Sequence, residues 1–108
     1  AACREVGITR PLADQVDALA GLAMRSGIDG IVASPLELHR LRALCSRDFL
    51  IVTPGIRQRA AEDDQSRTLD PKAAVHAGAS YLVVGRPIIV ADAPRAAAEA
   101  ICAEMSSA

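Results

Sequence analysis

Three short apolar runs, each followed by a segment at helical spacing, constrain this chain more than any other feature. They are Ile31 and Val32 in "DGIVASP", Phe49 to Val52 in "DFLIVTPG", and Tyr81 to Val84 in "YLVVGRPI". A strand with one wet face alternates apolar and polar side chains. A run that stays apolar suits a strand buried on both faces, as in a parallel sheet covered by helices.

The segments between the runs read as helices. Thr9 can cap a helix that holds Pro11 in its early turn and carries Leu12, Val16, Leu19, Leu22 and Ala23 on one face, until Gly27 stops it. "LELHRLRALC" places Leu38, Leu41 and Leu44 together, "KAAVHAG" is a short helix closed by Gly78, and "APRAAAEAICAEM" is a helix led in by Asp92 and Pro94. The order α-β-α-β-α-β-α specifies an α/β fold with right-handed crossovers.

Three parallel strands leave two bare edges, so the pattern implies a larger closed sheet. A (β/α)8 TIM barrel uses roughly 250 residues, about 30 per unit. The 108 residues therefore match its C-terminal part, about strands 6 to 8 with helices 5 to 8. The expected organisation is one partial barrel domain over residues 1–108, with an open doubly wound sheet as the rival.

Composition narrows the function classes. Lys and Arg total 12 against 13 Asp and Glu, for a net charge of −1. That gives no electrostatic footprint for nucleic acid or an anionic membrane. Phe49 and Tyr81 are the only aromatic residues, too few for base stacking. No apolar stretch approaches a membrane span and no signal peptide is legible, so the expected location is cytoplasmic. Cys3, Cys45 and Cys102 are too scattered for a metal pair and odd in number, which reads as reduced packing residues. Neither His39 nor His76 has a partner at ligand spacing, and Glu62, Asp63 and Asp64 stand consecutively in a loop. No metal site, cofactor motif or catalytic residue is expected within the chain.

Barrels and doubly wound sheets bind ligands at the C-terminal ends of their strands. Those ends are "SP" at 34–35, "TPGIR" at 53–57 and "GRP" at 85–87. Gly85 allows close approach of backbone to a ligand, and Arg86 adds a planar fork of donors suited to phosphate. A plain turn with a surface ion pair is the alternative for that tripeptide alone. The connection from Thr53 to Asp70 is far longer than the usual two to six residues and suits a lid or binding loop, or a self-paired solvated loop.

Taken together, "FLIVTPGIR", "DDQSRTLDPKAAVHAGASYLVVGRPI" and "DAPRAAAEAI" resemble the C-terminal part of the orotidine 5'-phosphate decarboxylase family, and "ITRPLADQVDALAGLAMRSGIDGIVASPLELHRLR" extends the likeness over nearly the whole chain. The resemblance implies a cofactor-independent, homodimeric barrel that converts orotidine 5'-phosphate to UMP in pyrimidine biosynthesis. It implies that Arg57, Gln65, Gly85 and Arg86 bind substrate, with Gln65 and Arg86 on the phosphate. The family's usual proline after G-I-R and glycine before D-Q are replaced by Gln58 and Asp63. The family's catalytic D-x-K-x-x-D is not in this chain: Asp70-Pro71-Lys72 is followed three residues later by Val75, and Lys72 is the sole lysine. The 108 residues alone are therefore expected to be inactive. The rival readings are another phosphate-binding barrel, such as a sugar-phosphate decarboxylase or isomerase, and a non-catalytic nucleotide-binding half-barrel.

The bare edges generate one expectation about solution behaviour. The isolated chain should associate in a concentration-dependent way, visible in sedimentation; a sharp thermal transition of a monomer would refute it.

Overall fold

The structure, a computed structural model, describes residues 2–56 and 69–108. A single helical turn, α1 (Ala2–Glu5), precedes α2 (Leu12–Arg25), β1 (Gly30–Val32), a 3-10 turn at Pro35–Glu37, α3 (Leu38–Leu44) and β2 (Leu50–Thr53). After the undescribed segment come α4 (Pro71–Ala77), β3 (Tyr81–Leu82), α5 (Arg86–Ile89) and α6 (Pro94–Ser106). The three strands are parallel in the order β1-β2-β3, with Ile31 beside Ile51, Val52 beside Tyr81 and Thr53 beside Leu82.

Helix ends follow local chemistry. Asp70 Oδ1 accepts from the N–H of Ala73 at 2.7 Å and Pro71 occupies the first turn, where a missing N–H costs nothing. Gly78 then ends α4 at φ 118°, a left-handed conformation that side chains rarely adopt. At α2 the expected Thr9 cap does not form. Pro11 is extended at φ −56°, ψ 150°, and stands at the cap position itself, without a side-chain cap bond. A proline also steers the residue before it, Arg10, away from helix, and with Pro11 itself extended the helix begins at Leu12.

The core lies on one side of the sheet. Ile51 and Thr53 of β2 are fully buried, together with Leu38 and Leu41 of α3 and Ala74 of α4, and Ala20, Ala33, Cys45, Phe49 and Ile56 complete it. Burial pushes the Cys45 thiol upward, which keeps it protonated near neutrality. The opposite sheet face is open: Val32 is 72% exposed, Tyr81 59%, Val83 52% and Leu50 39%. This corrects the expectation of strands buried on both faces. Side chains alternate across a strand, and here one layer of helices covers only one of the two faces.

Arg42 joins three elements at the N-terminal end of the sheet. Its Nε and Nη2 donate to the carbonyl of Gly78 at 3.1 and 2.8 Å, and Nη1 donates to Ser46 and Phe49 carbonyls at 2.9 and 2.8 Å. Nη2 also reaches Ser80 Oγ at 3.2 Å, the same oxygen that accepts from the N–H of Ile51 at 3.0 Å. One guanidinium thus closes α4, the entry to β2 and the entry to β3. Charge-assisted bonds of this kind contribute about 1.5–3 kcal/mol apiece before non-additivity. Arg42→Met is expected to cost about 2 kcal/mol locally, seen as roughly thirtyfold faster hydrogen exchange at Ile51 and Ser80 with α2 amides unchanged. Uniform loss of protection, or none, would contradict this role.

Candidate functional site

The C-terminal ends of β2 and β3 lie side by side because the N–H of Val83 donates to the carbonyl of Thr53 at 2.9 Å. Beyond β2 the chain passes through Pro54 and Gly55, the latter at φ 75°, to Ile56. Ile56 is buried and forms an isolated parallel bridge with Leu69, which holds together the two ends of the undescribed segment. Beyond β3 come Val83, Val84 and Gly85. A cleft of about 220 Å³ opens between these two exits, bounded by Pro54, Gly55 and Ile56 on one side and Val83, Gly85, Arg86 and Pro87 on the other.

"GRP" does more than turn the chain. Arg86 starts α5, with Gly85 at its cap position, and the carbonyl of Gly85 accepts from the N–H groups of Ile88 and Ile89 at 3.0 Å. So short a helix leaves no periodicity in the sequence by which to expect it. Pro87 sits in its first turn, where its lack of an N–H is harmless. The N–H groups of Gly85 and Arg86 have no acceptor among the described residues, and α5 leaves them beside the cleft.

Gly85 stands in open space among the described residues: a Cβ built there meets none of their atoms within 4 Å. Packing by the described residues therefore does not demand glycine at this position. A bound group approaching the backbone would. Arg86 is exposed and has no hydrogen bond or ion pair with another described residue. The surface ion pair that formed its alternative reading is absent among those residues.

Of the four expected binding residues, the structure brings Gly85 and Arg86 to the cleft, while Arg57 and Gln65 lie outside the described residues. Arg57 follows Ile56 directly in sequence. The "SP" at the end of β1 shapes the chain locally, since Ser34 Oγ accepts from the N–H of Leu36 at 3.2 Å and Pro35 is buried. Thr53, the first of the strand-end residues at β2, is sealed where an exposed strand end was expected: its hydroxyl is fully buried with no partner among the described residues. Only its place directly after the apolar run Phe49 to Val52 hinted at this environment. Lys72 is exposed on α4, and no group of three or more potential metal ligands occurs among the described residues. No described helix is long and apolar enough to cross a membrane.

Parallel βα units whose strand ends open side by side onto one cleft are the arrangement of the barrel class. Residues 2–101 match the sequence pattern described as the orotidine 5'-phosphate decarboxylase / HUMPS family. The chain belongs to that family. It is 54% identical over 103 residues to orotidine 5'-phosphate decarboxylase of Geotalea daltonii and 55% identical over 103 residues to that of Trichlorobacter lovleyi, in each case covering 94% of this chain and 43% of the relative. The crystal structure of orotidine 5'-phosphate decarboxylase from Lactobacillus acidophilus superimposes with a TM-score of 0.80 at 44% identity, over 94% of this chain and 41% of that one. The corresponding enzyme from Pyrococcus horikoshii gives 0.70 at 29% identity, over 93% and 46%. The fold is thus the C-terminal part of a (β/α)8 barrel, and the chain spans less than half the length of these relatives.

The open space at Gly85 separates stability from binding. In the complete barrel, Gly85→Ala is expected to change the thermal midpoint by less than about 2 °C, since it adds no clash, while weakening phosphate-ligand affinity at least tenfold. Isothermal titration alongside calorimetry checks both. Unchanged affinity would remove Gly85 from the site.

Proposed function

We propose that this chain supplies the substrate-binding, phosphate-holding part of an enzyme that decarboxylates orotidine 5'-phosphate to UMP. The observation that carries the reading is the pairing of the Arg86 fork, which has no described partner, with the N–H groups of Gly85 and Arg86 at the mouth of the cleft. Its support from kinship is the family membership and the names of the relatives.

In this reading Arg86 and the Gly85 turn hold the phosphate, and Arg57 and Gln65, in the connection after β2, complete the grip. The reaction breaks the bond from C6 of the pyrimidine to its carboxylate, releases carbon dioxide, and leaves a carbanion that a proton must quench. None of the described side chains at the cleft can deliver that proton: Arg86 is cationic but does not give up its proton at neutral pH, and Pro54, Gly55, Ile56 and Val83 are apolar. The chemical step belongs to a Lys and Asp array outside this sequence, which contains no D-x-K-x-x-D. Phosphate contacts far from C6 still lower the barrier when binding energy is used to close and order the site around the reacting atoms. The whole enzyme works as a homodimer without a cofactor, in the cytoplasm.

A sugar-phosphate barrel enzyme would share the G-R-P turn but not its combination with T-P-G-I-R and D-Q-x-R, which favours the orotidylate reading. Arg86→Ala in the complete enzyme is expected to reduce kcat/KM for orotidine 5'-phosphate roughly thirty- to nearly a thousandfold, about 2–4 kcal/mol of transition-state stabilisation. Turnover of the phosphate-free nucleoside should change little. Equal losses on both substrates would overturn the phosphate assignment.

A further inference from the structure

Arg40, outside the cleft, ties the exit of β1 to α2. Its Nε donates to both carboxylate oxygens of Asp17 at 3.1 and 3.2 Å, and its Nη2 donates to Glu37 Oε1 at 2.7 Å and to the carbonyl of Ala13 at 3.1 Å. Ala13 and Asp17 belong to α2, whereas Glu37 closes the 3-10 turn Pro35–Glu37 that follows β1. A lone surface ion pair contributes little, but one planar fork that meets two carboxylates and a carbonyl is a network. The Glu37 side chain is only 13% exposed, so Arg40 meets it largely away from water.

The turn held in this way is level with the cleft. Val32 pairs with Val52 and Val52 with Tyr81, so two residues further along Ser34, Pro54 and Val83 continue one row across the three strand exits. The ladder bonds persist that far, since the N–H of Ala33 donates to the carbonyl of Val52 and that of Val83 to the carbonyl of Thr53, both at 2.9 Å. Pro54 and Val83 bound the cleft. At about 4.8 Å per strand, Ser34 lies one step beyond Pro54 and about 10 Å from the Val83 position, on the side away from Arg86. A nucleotide whose phosphate sits at the Gly85–Arg86 turn extends its sugar and base over that distance. Ser34 is in turn coupled to Glu37: its carbonyl accepts from the N–H of Glu37 at 2.9 Å and its Oγ from the N–H of Leu36 at 3.2 Å.

From this geometry we infer that Arg40 is a positioning residue for the ligand: by pinning the Ser34–Glu37 turn to α2, it fixes the wall that meets the nucleotide beyond its phosphate. The inference rests on the reading of the cleft as the phosphate end of a nucleotide site. Arg40 touches no ligand itself. Its effect passes through Glu37 to Ser34, so it falls on the part of the ligand that inorganic phosphate lacks.

Titration of the complete enzyme with inorganic phosphate and with UMP tests this. Arg40→Ala is expected to weaken UMP roughly fivefold or more while phosphate affinity stays within about twofold, and to speed exchange of the Leu36 amide with the Ile51 amide unchanged. Arg40→Lys, which keeps the charge but not the fork, should give a smaller loss of the same kind and decides the matter where Arg40→Ala does not fold. Adding Asp17→Ala to Arg40→Ala should cost nothing further, because the two act through one contact. Equal losses on both ligands, an unchanged UMP affinity, or additive losses in the double variant would overturn the inference. Turnover of orotidine 5'-phosphate is read separately: an enzyme that shows this ligand-dependent loss but does not decarboxylate upholds the role of Arg40 and counts against the proposed function.

Discussion

Pairing of β2 on both its edges is the constraint from which the rest of the structure follows. The strand is short, yet it aligns β1 by the Ile31–Ile51 register and carries β3 through Val52–Tyr81 and Thr53–Leu82. Parallel strands cannot be joined by tight turns, so each pairing requires a helix to carry the chain back. The helices α3 and α4 do this, and their buried Leu38, Leu41 and Ala74 form the core against Ile51. The same pairing brings the exits of two strands, far apart in sequence, to one cleft.

The two ends of the sheet differ in how their arginines are satisfied. At the N-terminal end, Arg42 directs all three guanidinium nitrogens at carbonyls and at Ser80, and the surrounding chain is locked. At the C-terminal end, Arg86 and the two amide N–H groups beside it have no described partner. The contrast between an arginine paired with carbonyls and one without a described partner is physical, not positional. A guanidinium with carbonyls around it holds a fold together, because each charge-assisted bond ties one more segment to the same planar fork.

Among the described residues only one face of the sheet meets a layer of helices, and the extents are correspondingly unequal, 45 × 32 × 17 Å. Val32, Tyr81 and Val83 face outward on the other side. In a closed barrel those positions point into the interior, where side chains from successive strands pack in layers. The relatives that share this fold are more than twice as long as the part matched here.

The sequence alone determined the element order, the α/β class and the residues at the strand ends, because apolar runs, helical spacing and the Gly78 stop are local signals that short-range physics reads directly. Kinship, too, was legible, since T-P-G-I-R, D-Q-x-R and the G-R-P turn are contiguous strings. Local pattern misjudged the start of α2, where Pro11 overrode Thr9, and overlooked α5, too short for any period to register. Composition of a strand says that both faces want cover, but not whether both have it; that Leu50 and Val32 lie exposed while Thr53 is sealed depends on which layers are present. Only the tertiary structure decided that Gly85 faces open space and that Arg86 stands beside it without a described partner. Open space around a residue is a property of everything that fails to pack against it, and no local pattern encodes that.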